Sequence, residues 1–228
     1  GRRPVVGEEG RPPVRVGPSI IAVRRIRPSH DWFDLRLDDV WRFRELLTNL
    51  VLRDLKVLYR QAAIGVAWAV LVPLASVAIF SVVFGAFARM PSEGVPYPVF
   101  AFAAVLPWTY FAEAVRRGGL CLLNDSELVR KVYFPRLVMP IAAVTTPLLD
   151  FLVGFVLLVG MMLVYHVTPS WRILLVLPPL ILVTWTLALA ISLWLSPLNV
   201  RFRDVKLTLP FILQTWMYAS PVIYPLSL

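Results

Sequence analysis

RRGGLCLLNDSELVRKVYFPR, residues 116–136, is a polar island between two long apolar runs, and it cannot lie in lipid. At its centre, Asn124, Asp125, Ser126 and Glu127 are followed by Leu128, Val129, Arg130 and Lys131. Cap-forming and acidic residues open this octet and cations close it, as the dipole of a short helix favours, and Pro135 then stops it. Residues 116–136 therefore read as a loop carrying a short amphipathic helix. Its five cations place it on the cytoplasmic side of a membrane. A capped helix held there is suited to receiving a push from a cytoplasmic partner; the alternative is a solvated connector between two spans.

Composition agrees with a membrane setting. The 228 residues are 58% hydrophobic and only 16% charged, whereas soluble domains approach a quarter charged. A net charge of +9 on a soluble domain would suggest nucleic acid, but here the cations segregate along the chain and none is expected to bind it. One cysteine, Cys121, excludes an internal disulfide and reads as a reduced thiol in the loop. His30 and His166 lack metal-ligand spacing, so no metal site is expected.

Outward from the loop, five apolar runs read as spans at about residues 62–88, 95–115, 137–165, 173–195 and 207–228, with a second inner loop at 196–206. Pro73 is expected to break or bend the first, and Pro96, Pro98 and Pro107 to make the second irregular. Residues 1–37, rich in Pro, Gly and Arg, read as a cytoplasmic arm with a possible short strand at residues 20–23. From 38 to 61 the pattern turns helical, with Val40, Phe43, Leu47, Leu50, Leu55 and Leu58 along one face and Arg53, Lys56 and Arg60 among the cations. With Trp41 and Tyr59 near its ends, this basic amphipathic helix suits the headgroup layer; the alternative is a helix covering a cytoplasmic partner.

Cation placement sets the sidedness. Thirteen lie in residues 1–60, five in 116–136 and three in 201–206, leaving only Arg89 and Arg172 for the other side. The N-terminus is therefore expected in the cytoplasm. Catalytic motifs are missing: Lys56, Lys131 and Lys206 follow Leu55, Arg130 and Val205, so no P-loop is present, and HExxH, paired-cysteine and GxSxG patterns do not occur. Glu113, three and four residues before Arg116 and Arg117, reads as an ion pair at a helix end. Asp150 falls near the middle of the third span, where a carboxylate is costly and a specific polar contact is expected. Aromatic rings recur through the spans; interface belts explain most of them, but fit poorly for one as deep as Trp185.

Three ordered blocks carry a family resemblance: VWRFRELLTNLVLRDLKVLYRQAAIGVAWAVLVPL from Val40, NDSELVRKVYFPRLVMP from Asn124, and LNVRFRDVKLTLPFILQTWMYASPVIYPLSL from Leu198. Together they make the chain resemble the ABC-type polysaccharide export permeases, including O-antigen and teichoic-acid exporters. The resemblance implies an all-α polytopic protein of the bacterial inner membrane, with an N-terminal interfacial helix and a short cytoplasmic coupling helix at Asn124 to Lys131. It also implies a sixth span, which would follow Leu228. The chain would form a homodimer with two separate ATP-binding subunits that hold ATP and Mg, itself binding no cofactor. Its substrate would be a polysaccharide on undecaprenyl diphosphate. Because the resemblance places the pathway at the dimer centre, lined by the first and fifth spans, Trp68, Trp216 and Tyr218 are candidate wall residues, with Trp108 and Tyr110 beside them. Small-molecule exporters of related fold and membrane enzymes of lipid-linked sugars are the competing classes.

Overall fold

The structure is a computed structural model that describes residues 37–60, 66–83, 94–131, 134–220 and 222. Nine helices and no strand occur among the described residues, all within the unit spanning residues 36–228: α1 (Leu37–Arg42), α2 (Arg44–Arg60), α3 (Val66–Phe80), α4 (Tyr97–Asn124), α5 (Ser126–Lys131), α6 (Val138–Thr145), α7 (Leu148–Val164), α8 (Arg172–Arg201) and α9 (Arg203–Ala219). Of the arm expected at residues 1–37, residues 1–36, with the short strand expected there, lie outside the described residues, and Leu37 begins α1.

Helix α4 is the axis of the bundle. Pro96 caps it and Pro98 sits in its first turn, where a missing N–H costs nothing, so these prolines start the helix instead of disturbing it. The helix then runs unbroken through Pro107 for 28 residues, or about 42 Å at 1.5 Å per residue. Val99, Phe102, Leu106 and Tyr110 recur at helical spacing and are buried among Val144, Phe151, Leu158, Ala188 and Leu213, which come from the surrounding helices α6 to α9. Beside α8 the approach is close enough that a Cβ at Gly118 would collide with the Ser192 side chain. Asn199 Nδ2 seals the contact by donating to the Gly119 carbonyl at 2.8 Å. At that end of the bundle a second apolar cluster joins Leu50 of α2 to Cys121, Phe134, Val138, Met139 and Ala142.

The boundaries differ from the sequence expectation at three places, for one physical reason. Charge marks where lipid ends, not where a helix must end. Residues 116–124, expected in a loop, continue α4, because Glu113 neutralises Arg116 and Arg117 at helical spacing (both pairs 2.6 Å). Cys121 is consequently buried in α4 rather than lying in a loop. The short helix that follows begins at Ser126, not at Asn124, and Asp125 is its junction with α4. The second expected loop, 196–206, is almost wholly helical: α8 runs to Arg201, Phe202 alone is extended, and α9 starts at Arg203.

The apolar runs themselves are helical. Tyr97–Asn124, Val138–Val164 and Leu175–Arg201 are long and apolar enough to cross a membrane. The middle one is interrupted at Thr146 and Pro147, where proline withholds an N–H, so that α6 and α7 follow one another along one apolar run. Helix α3 passes through Pro73 without the expected break and widens into a π turn at residues 81–83. It and α9, at 15 and 17 residues, are the described parts of the expected first and fifth spans; residues 61–65, 84–93 and 223–228 lie outside the description.

Candidate functional site

Two surfaces bring the candidate residues together. The first is at the end of the bundle where α4 meets α5. Expected as one helix over 38–61, the N-terminal segment is α1 and α2 with a single-residue turn at Phe43. Leu50 is buried on α6, with Phe43, Leu46, Leu47 and Val51 packed around it. Arg53, one turn further along the same face, reaches the α4–α5 junction. Its Nη2 lies 2.9 and 3.0 Å from the two carboxylate oxygens of Asp125, while Nε and Nη2 also donate to Asp54 at 3.0 and 2.9 Å. Partial burial works against the charged guanidinium, but the bonds to Asp125 and Asp54 outweigh it and hold the Arg53 pKa above its usual value.

On α5, Leu128 packs into the Leu50 cluster, whereas Ser126 and Glu127, like Asn124 at the end of α4, are exposed. The side chains of Val129, Arg130 and Lys131, and those of Tyr59 and Arg60 on α2, lie outside the described residues. Trp41 and Lys56 are exposed, Trp41 beneath the guanidinium of Arg44 at 5.7 Å from its ring centre.

The second surface is the free face of α9. Leu209 and Leu213 are buried against the bundle, which turns Thr208, Phe211, Gln214, Thr215 and Tyr218 outward. This stripe alternates hydroxyl or amide groups with rings. Trp216 stands at its edge, 42% exposed, and closes edge-on against Phe111 and Trp108 of α4 at ring separations of 5.5 and 6.2 Å. Two of the candidate wall residues thus meet in one aromatic cluster. Tyr110 points elsewhere: it is buried at 4% exposure, packs on Phe151 at 5.7 Å and directs its hydroxyl to the Val144 carbonyl. The side chain of Trp68, on α3, lies outside the described residues. Phe211 and the polar members of the stripe were not singled out from the sequence. The signal was present in the four-residue spacing of Leu209 and Leu213, which fixes the opposite face as free.

Trp185 and Asp150, two polar groups expected inside the membrane, have structural settings. Trp185 donates through Nε1 to Thr145 Oγ1 at 3.2 Å, a contact that accounts for a ring so deep in an apolar run. Asp150 is half-buried in the first turn of α7, just past Pro147, where the positive end of the helix dipole favours a carboxylate. At the opposite end of the bundle from α5, α4, α7 and α8 enclose an apolar groove of about 560 Å³ between Val99, Leu106, Phe155, Met162 and Leu177.

A helical bundle with three helices long and apolar enough to cross a membrane defines the class as a helical membrane protein. Comparison with known proteins makes this specific. The sequence model for the ABC-2 type transporter matches residues 45–228, and the chain belongs to that family. It is 33% identical over 190 residues to the O-antigen export system permease protein RfbA of Myxococcus xanthus, covering 83% of this chain and 72% of that protein. Two Klebsiella pneumoniae proteins of the same name are 28% and 26% identical, each covering 79% of this chain and 69% of the relative.

Proposed function

We propose that this chain is the membrane subunit of an ATP-driven exporter that moves an O-antigen-like, lipid-linked polysaccharide across the bacterial inner membrane. The observation that carries the reading is the 33% identity to an O-antigen export permease over most of both chains. Two features of the fold support it. The α4–α5 junction stands at the end of a helix longer than the ~30 Å hydrocarbon core, which suits contact with cytoplasmic subunits. The α9 stripe of Thr208, Phe211, Thr215 and Tyr218 offers flat rings for the C–H faces of sugars and hydroxyls for their edges.

In this reading two copies pair across α9 and α3 around the pathway, with Tyr218, Trp216 and Trp108 on its wall and Tyr110 as packing behind it. Two separate subunits bind ATP and Mg and push on α5; this chain binds neither, consistent with its lack of a P-loop. The carrier is undecaprenyl diphosphate. Cytoplasmic cations hold the N-terminus inside, and α2 lies along the inner headgroups.

Weak repeated stacking suits a polymer that must slide, because tight polar sites would trap it. Analysis of lipid-linked glycans in a deletion strain tests the assignment. Accumulation of the finished polymer on its carrier inside the cell is expected, and normal surface glycan without accumulation would overturn it.

A further inference from the structure

The bond between Arg53 and Asp125 joins residues 72 positions apart and is an ionic link, among the described residues, between α2 and the α4–α5 junction. Resting on the reading of α5 as the element that meets the ATP-binding subunits, we propose that Arg53 is a positioning residue. It ties α2 to that junction, so that displacement of α5 is delivered to α2 and α6 together with α4.

An exposed ion pair alone would carry little, since holding two mobile side chains offsets a screened attraction. Here the arrangement is stronger in three respects. Leu50, one turn before Arg53, is already buried on α6, so the helix bearing Arg53 is fixed before the bond forms. Asp54 takes Nε and Nη2 of the same guanidinium and thereby aims it. Asp125 accepts through Oδ2, holds Oδ1 2.9 Å from the same nitrogen and is only about one quarter exposed, so its side of the pair is shielded from water even though Arg53 is 43% exposed. Leu128 packs into the Leu50 cluster, giving α5 an apolar contact on the same side. Removing Arg53 leaves α2 seated on α6 through that cluster but breaks its ionic link to the junction. The consequence is lost transmission rather than unfolding.

The experiment uses the full complex with its ATP-binding subunits in vesicles loaded with lipid-linked glycan from the same strain. Spin labels at Val57→Cys and Ser126→Cys report the α2–α5 distance; buried Cys121 stays unlabelled. Arg53→Gln is expected to broaden that distance distribution and to lower glycan exported per ATP about fivefold, the lower end of measured coupling effects. Arg53→Lys keeps the charge without the fork and should fall between. The exchange Arg53→Asp with Asp125→Arg should recover both readouts, and does so even if Arg53→Gln inserts poorly. An unchanged distance distribution overturns the tie, and unchanged glycan per ATP overturns its role in transmission. A native complex that hydrolyses ATP without moving glycan instead sinks the export reading, while the distances still decide whether the tie exists.

Discussion

Gly118 is the residue on which the α4–α8 contact turns. An alanine there gains up to about 1 kcal/mol of helix propensity. Its Cβ would meet Ser192 Cβ as well as Oγ, with Val144 on a third side, so rotating the hydroxyl gives no relief. Overpacking of this kind costs about 1–3 kcal/mol and should win. Gly118→Ala is therefore expected to lower the melting temperature in detergent; Ser192→Gly should restore much of it, whereas Ser192→Ala, which keeps its Cβ, should not. Asp150 has a different sensitivity. Asp150→Asn loses the charge favoured by the start of α7, worth about 0.3–1 kcal/mol, but keeps an acceptor. Asp150→Leu loses both and should cost more. Export that survives in Asn but falls in Leu, together with assembly, is the expected pattern. Loss of export in an assembled Asn variant would mean that the charge itself acts in transport.

At the scale of elements, three of the five expected spans are matched by helices long and apolar enough to cross a membrane, and they were legible because apolar length is a direct consequence of bilayer thickness. Their ends were not: residues 116–124 are polar enough to suggest a loop, yet Glu113 pairs with Arg116 and Arg117 and the helix continues, and residues 196–201 likewise stay helical. The pairing of Glu113 with its two arginines was read correctly, but its implication that α4 continues was not drawn. Contacts between distant positions, such as Arg53 with Asp125 or Trp108 with Trp216, leave no local signature at all. Those contacts also decide which aromatic substitution is informative. Trp216→Leu removes two edge-on ring contacts worth about 0.5–1.5 kcal/mol each, so slower export would be confounded with a looser α4–α9 contact. Tyr218 is more than half exposed. Tyr218→Leu should change stability by less than about 0.5 kcal/mol while slowing glycan export in reconstituted vesicles. Export at the native rate would remove Tyr218 from the wall.

For the molecule as a whole, helix polarity and cation placement make one arrangement in the membrane. The end bearing α5 should face the cytoplasm, and the turn at residues 167–170 the other side. A cysteine at Ser126 is expected to react with an impermeant maleimide only in inverted vesicles, and one at Ser170 only in intact spheroplasts. The opposite pattern would reverse the direction of any transport argued from this fold. The length of α4 bears on how the two ends communicate. A rigid rod of about 42 Å that tilts by about 5° around its middle moves its tips by about 2 Å in opposite directions. One tip adjoins Asp125, and the other carries the turn around Val99 that walls the apolar groove. A sideways shift at the α5 end would therefore reappear, inverted, as a change in the width of that groove. Apolar small molecules wedged into the groove would brake the lever from the far end.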